Sequence, residues 1–117
     1  ISAEAVRKMK EAFGCRPENM IAALGPHIRQ CCVEVGEDVY RQFAEVFPDM
    51  RDCMVARKDK WHIDLSRIIT RTLVREGLAW SNINDVDRCT VCEKELFFSH
   101  RGGKGNSGTG AALLMIN

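Results

Sequence analysis

Thiols and one glycine-rich stretch carry the chemistry available to this sequence. Cysteines stand at 15, 31, 32, 53, 89 and 92. Cys89-Thr90-Val91-Cys92 has the spacing of a redox pair or of half a zinc site, and the vicinal Cys31-Cys32 would have to supply the other half. Adjacent side chains diverge when the backbone is extended, whereas a four-thiolate site draws each ligand pair from a tight knuckle. No metal ligand is therefore expected on this chain, and most of its thiols are expected to pack as small buried hydrophobes. A cysteine nucleophile would need a histidine or a helix N-terminus beside it. Cys89 and Cys92 are the thiols nearest in sequence to His100, and both lie eight or more residues from it.

The stretch from Phe97 to Gly110 holds five of the nine glycines beside Arg101 and Lys104. Backbone amides together with cationic side chains are what an anionic ligand group requires. The Walker spacing is absent, so two uses stay open: a phosphate-binding loop, or a plain connection between two strands, which the composition favours. His100 adjoins Arg101 at the mouth of this loop, where a neutral imidazole can hydrogen-bond or relay a proton. His100, Arg101, Gly102 and Gly103 are accordingly the candidate substrate contacts, and no catalytic residue is assigned. His27 and His62 fit no helical metal motif and are expected at the surface. Trp61 and Trp80 are expected in the core or at its rim.

These residues must be positioned by short elements. Ser2 can cap a first helix in which Val6, Met9 and Phe13 share a face and Gly14 ends the pattern. Met20 to Leu24 is an apolar run bounded by turn residues, which predicts a buried strand. After Gly36, the positions Val39, Phe43, Val46 and Phe47 predict a second helix, closed by Pro48. The segment from Ile28 to Val35 is too irregular to assign. Cys53 to Ala56 and Trp61 to Ile63 predict two strands around a charged turn. Asp64 is a good N-cap for a third helix, whose stripe runs through Leu65, Ile68, Ile69, Thr72 and Leu73 and stops at Gly77. Ile83 to Val86 and Ala111 to Ile116 complete the order α, β, α, β, β, α, β, β, an α/β (α+β) class with mixed sheets and helices packed on a face.

The 117 residues amount to one domain, residues 1–117, with a single modest core. Seventeen basic against sixteen acidic residues give a net charge of +1, so no basic stripe tracks a phosphate backbone and no nucleic-acid partner is expected. No apolar run approaches the ~18 residues of a membrane span. Nothing reads as a signal peptide, so reduced thiols and a cytoplasmic location are expected, and Ile1 reads as a cut in a longer chain.

Three stretches taken together resemble one family: Ala22 to Gly36 with Gly25-Pro26-His27 and Cys31-Cys32; Trp61-His62-Ile63-Asp64-Leu65; and Cys89 to Arg101 followed by Gly108-Thr109-Gly110. They are similar to the C-terminal half of the YfiH family, also called the multicopper polyphenol oxidoreductase laccase family or the purine nucleoside phosphorylase family related to laccase domain-containing protein. The resemblance implies a layered α/β/β/α mixed-sheet fold. It also implies phosphorolysis of inosine and adenosine, with adenosine deamination and methylthioadenosine phosphorolysis as further activities, in an enzyme formerly labelled polyphenol oxidase. The family's metal ligands lie in an N-terminal His segment, an Ala-Asp-Cys motif and a His-Ala-Gly-Trp-Arg-Gly motif, none of which occurs here. Zinc or copper is thus expected in the complete protein and not on this chain alone. The expected partners are a purine nucleoside, phosphate and a missing N-terminal half. A non-catalytic binding or structural half-domain is the alternative.

Overall fold

The computed structural model describes residues 1–105 and 107–115. Among these residues three α-helices and five strands form in the order α1 (Ser2–Phe13), β1 (Ala22–Leu24), β2 (Glu34–Val35), α2 (Glu37–Val46), β3 (Met54–Arg57), β4 (Lys60–Ile63), α3 (Leu65–Arg75) and β5 (Ile83–Asp85). β1 and β5 pair in parallel, with Ala22 opposite Ile83 and Leu24 opposite Asp85. The other sheet is antiparallel in the order β2-β4-β3, with Glu34 opposite His62 and Met54 opposite Ile63. The class is mixed α/β, as the sequence predicts, and no described helix is long and apolar enough to cross a membrane.

Local chemistry explains where the elements stop. Gly14 closes α1 in the left-handed conformation, at φ 65°, and its N–H reaches the Lys10 carbonyl at 3.0 Å. The N-cap of α1 is Ile1, so Ser2 is the first helical residue and not the expected cap. Asp64 caps α3 as predicted: its Oδ1 accepts from the Arg67 N–H at 3.1 Å and from the Ser66 hydroxyl at 2.9 Å. Gly77, at φ 109°, ends the turn that follows α3, and a Cβ there would stand 2.9 Å from Pro17 Cβ. Only glycine lets the end of α3 press against the link between α1 and β1.

Two apolar clusters fill the interior. One gathers Val33, Met50, Cys53, Met54, Ile63 and Ile68, with Tyr40, Phe43 and Phe47 of the α2 region packed against it. The second gathers Val6, Met20, Leu73 and Leu78, with Ile69 and Ile83 alongside. α3 belongs to both, presenting Ile68 to one and Leu73 to the other. Arg71 fixes its outer face through a two-pronged contact with Asp52, at 2.7 and 2.6 Å. On α2, Trp61 of β4 stacks flat on Tyr40, with centroids 3.6 Å apart, and its Nε1 donates to Glu37 at 2.7 Å.

Three further sequence expectations need correction, and one unassigned segment gains an element. β1 covers only Ala22–Leu24, because Met20 follows a 3-10 turn at Pro17–Asn19. The buried face of α2 runs through Tyr40, Phe43, Ala44 and Phe47, and Val46 points away from it at 68% exposure. Residues 28 to 35, left unassigned, contain the short strand β2. The terminal run is not a strand over residues 111–115, and Leu113 and Leu114 are fully exposed there. Ile116 lies outside the described residues.

Leu73 touches the second cluster from the inner face of α3, so Leu73→Asp removes its packing and strands a carboxylate in an apolar site. Destabilisation of about 3 to 5 kcal/mol is expected by urea unfolding. An unchanged midpoint would take α3 out of the core.

Candidate functional site

Pairing between β1 and β5 does not end with the strands. Past Gly25-Pro26, the His27 N–H donates to the Arg88 carbonyl at 3.2 Å, and the Thr90 N–H donates to the His27 carbonyl at 3.1 Å. The two chains are therefore still side by side when each makes a tight turn. In the first, the Arg29 carbonyl accepts from the N–H groups of Cys32 and Val33, at 2.8 and 2.9 Å. In the second, the Cys89 carbonyl accepts from the Glu93 N–H at 3.0 Å, which brings Cys92 back over Cys89.

All four sulfurs of Cys31, Cys32, Cys89 and Cys92 consequently lie within 4.8 Å of one another. Cys92 Sγ is 3.6 Å from both Cys31 Sγ and Cys32 Sγ. The expectation that Cys31 and Cys32 diverge is corrected, because it assumed extended backbone and the chain here is turned. Cys15 and Cys53 lie elsewhere, the latter wholly buried in the first cluster.

The electrostatics of the cluster are uneven. Burial pushes the Cys89 thiol up, but backbone N–H groups of Cys92, Arg29 and Val91 hydrogen-bond to its sulfur and bring it down to about 6. Burial and hydrogen bonding to Cys92 raise Cys31 and Cys32 instead. The Cys89 sulfur is thus favoured as a thiolate, while burial favours the protonated form of Cys31 and Cys32.

Arg29, which the sequence reading passed over, organises the surroundings. Its guanidinium is only 20% exposed and reaches Asp85 at 2.7 and 2.8 Å and Asp87 at 3.0 Å. Gln30, next along the turn, accepts from His62 Nδ1 at 2.7 Å through its carbonyl, and its side-chain amide lies 3.4 Å from the Cys53 carbonyl. His62 is therefore buried and structural, against the expectation of a surface histidine. His27 Nδ1 donates to the Gly25 carbonyl at 2.9 Å, and its Nε2 is buried with no protein partner.

Among the predicted substrate contacts, His100 and Arg101 are exposed, and Gly102 and Gly103 are half-buried. Gly102 and Gly103 line an open cleft of about 520 Å³ with Lys94, Phe97, Phe98 and Ser99. His100 and Arg101 fall outside that lining, and Arg101 instead donates to the Glu34 carbonyl at 3.1 Å. The N–H groups of Gly102, Gly103, Lys104 and Gly105 donate within the turn, to Ser99 Oγ and to the carbonyls of Ser99, Arg101 and His100. An anion arriving here meets cationic and hydroxyl side chains, since these four amides are already engaged.

The mixed α/β fold of this chain is that of YfiH-type proteins. Against the crystal structure of the Bacillus licheniformis hypothetical protein YfiH the TM-score is 0.84 at 28% identity, covering 90% of this chain and 40% of that one. The chain belongs to the multi-copper polyphenol oxidoreductase laccase family, whose family model matches residues 1–117. It is 36% identical over 97 residues to "Adenosine deaminase RL5" from an unknown prokaryotic organism, covering 81% of this chain and 37% of that protein. It is also 36% identical over 111 residues to a purine nucleoside phosphorylase of Xylella fastidiosa (strain 9a5c), covering 90% of this chain and 40% of that protein. The chain thus spans about two fifths of the length of these relatives.

The Arg29 to Asp85 pair makes a prediction about acid. Burial pushes the Asp85 carboxyl up, but the Arg29 guanidinium and the Asp87 N–H outweigh it and hold it below the usual carboxylate range. A carboxylate depressed in the folded state contributes stability that is fully present above its unfolded pKa of about 3.9 and is lost as pH falls through the folded value. Arg29→Ala should remove about 1 to 3 kcal/mol at neutral pH and flatten the stability profile below about pH 4. Urea titrations of both proteins across that range test it; parallel acid limbs would show that the pair does not couple to folding.

Proposed function

We propose that this chain is the C-terminal part of a purine nucleoside phosphorylase, which cleaves inosine and adenosine with phosphate. What carries this reading is the 36% identity to the Xylella enzyme across nine tenths of the chain. A phosphate oxygen attacks C1′ of the ribose, the bond to the purine nitrogen breaks, and the base leaves with the electron pair and takes up a proton. Ribose 1-phosphate is the second product. Positive charge grows on the sugar during that step, so an anion held close by and excluded from water stabilises it.

In this proposal Arg101 supplies a fork for phosphate or ribose oxygens, with His100 beside it and Gly102 and Gly103 forming the wall of the cleft. Arg101 spends one donor on the Glu34 carbonyl, which leaves the rest of its fork for a ligand. The same protein is proposed to deaminate adenosine, the activity in the name of one relative, and to cleave methylthioadenosine.

A missing N-terminal half completes the site. β1 has an unpaired edge among the described residues, and beside it an apolar groove of about 1000 Å³ is lined by Val6, Met9, Met20, Ile21 and Ile69. Strands or side chains of the absent half are proposed to cover it. The family description names copper. Among the described residues, however, the metal-competent cluster comprises four cysteine sulfurs and no imidazole, unlike the His-rich donor sets of redox-cycling copper. Phenol oxidation is therefore not assigned to these residues, and the zinc or copper of the complete protein is proposed to lie in the missing half.

Arg101→Ala in the full-length protein should lower kcat/KM for inosine phosphorolysis about tenfold or more, equivalent to ~1.4 kcal/mol of transition-state binding. Wild-type kinetics with an unaltered phosphate KM would return Arg101 to the role of a surface strut on Glu34.

A further inference from the structure

We propose that Cys31, Cys32, Cys89 and Cys92 together bind one zinc ion, in a closed four-thiolate site that fastens the two turns of this chain. The inference does not rest on the phosphorolysis reading, because no step of that reaction involves these sulfurs.

Geometry carries the argument. Four Zn–S bonds of about 2.3 Å at tetrahedral angles place the sulfurs about 3.8 Å apart. Here two sulfur pairs stand at 3.6 Å and none of the four is more than 4.8 Å from another. Movements below about 1 Å therefore complete the tetrahedron. The pairs come from turns 60 and 61 residues apart in sequence, so local chain geometry alone does not explain their convergence. Cys89 to Cys92 is a two-residue knuckle, and backbone N–H groups of Arg29, Val91 and Cys92 point at the Cys89 sulfur, as ligating thiolates require.

A disulfide accounts for the cluster less well. It would use two sulfurs, and Cys92 stands equally far from Cys31 and Cys32, with nothing to choose between them. Soft thiolates arranged as a tetrahedron suit zinc, which has no geometric preference of its own. On binding, each thiol still protonated releases its proton to solvent and each sulfur donates a lone pair to Zn(II), which sheds its waters. No electron changes hands, and the unit carries a net charge of −2. With all four positions taken by protein the ion is structural. It joins the turn after β1 to the turn after β5, from which the glycine-rich segment continues.

The test uses tag-free 117-residue chain produced with zinc and purified without chelator. About one zinc per chain is expected, with X-ray absorption showing four sulfurs at about 2.3 Å. Cys92→Ser should lose the zinc while Cys15→Ser keeps it. Because the first variant can also fail to fold, alkylation of the wild-type chain provides a second measurement. Cys31 and Cys92, exposed in the metal-free fold, should react with iodoacetamide after zinc is stripped and be protected when Zn(II) is restored. A folded chain that neither retains nor takes up zinc would overturn the site. So would nitrogen or oxygen ligands in the absorption spectrum, a disulfide at Cys92 in freshly purified protein, or zinc that survives Cys92→Ser.

Discussion

Everything near the proposed site depends on how Arg29 is held. Its carbonyl winds the Cys31-Cys32 turn, its N–H points at the Cys89 sulfur, and its guanidinium grips Asp85 and Asp87 on the neighbouring strand and loop. One residue thereby links the parallel pair β1-β5 to the turn that leads into the antiparallel sheet. A guanidinium suits the task because its planar donors engage two carboxylates at once in fixed directions. With Arg29 20% and Asp85 26% exposed, this pair is screened less by solvent than exposed pairs such as Arg41 with Glu37.

The division of the interior into two clusters follows from the same economy of size. Of the three helices described, α3 serves both clusters by turning Ile68 to one and Leu73 to the other. Its ends are fixed by Asp64 and by the approach of Gly77 to Pro17. The helix on the other flank is less satisfied. α1 buries Val6 but leaves Phe13 exposed, and the groove beside it remains open. That asymmetry fits a chain that spans two fifths of its relatives.

Periodicity made α3 legible, because four apolar positions and Thr72 at helical spacing, with an N-cap aspartate, are all local signals. It misplaced the inner face of α2, where Val46 looked apolar enough to be buried while the small Ala44 was the residue enclosed. It failed for residues 111–115, since an apolar run becomes a strand only beside a partner. The cysteine cluster illustrates the same limit more sharply. Residue types and the Cys-x-x-Cys spacing were visible, but convergence with Cys31 and Cys32 depends on the β1-β5 register and on two turns, neither of which a sequence window contains. Arg29 gave no signal of its own; an arginine acquires meaning only from carboxylates fifty-six residues away.

The flat stack of Trp61 on Tyr40 also gives the molecule an optical signature. Trp61 is clamped by Glu37 at its indole nitrogen, whereas Trp80 is 68% exposed. Two indoles in such different surroundings emit at different wavelengths, the enclosed one further to the blue. Because both partners of Trp61 lie on α2, loss of the blue component reports α2 leaving the sheet, independently of the red component from Trp80. The protein therefore carries its own fluorescent gauge for one helix, with a built-in reference.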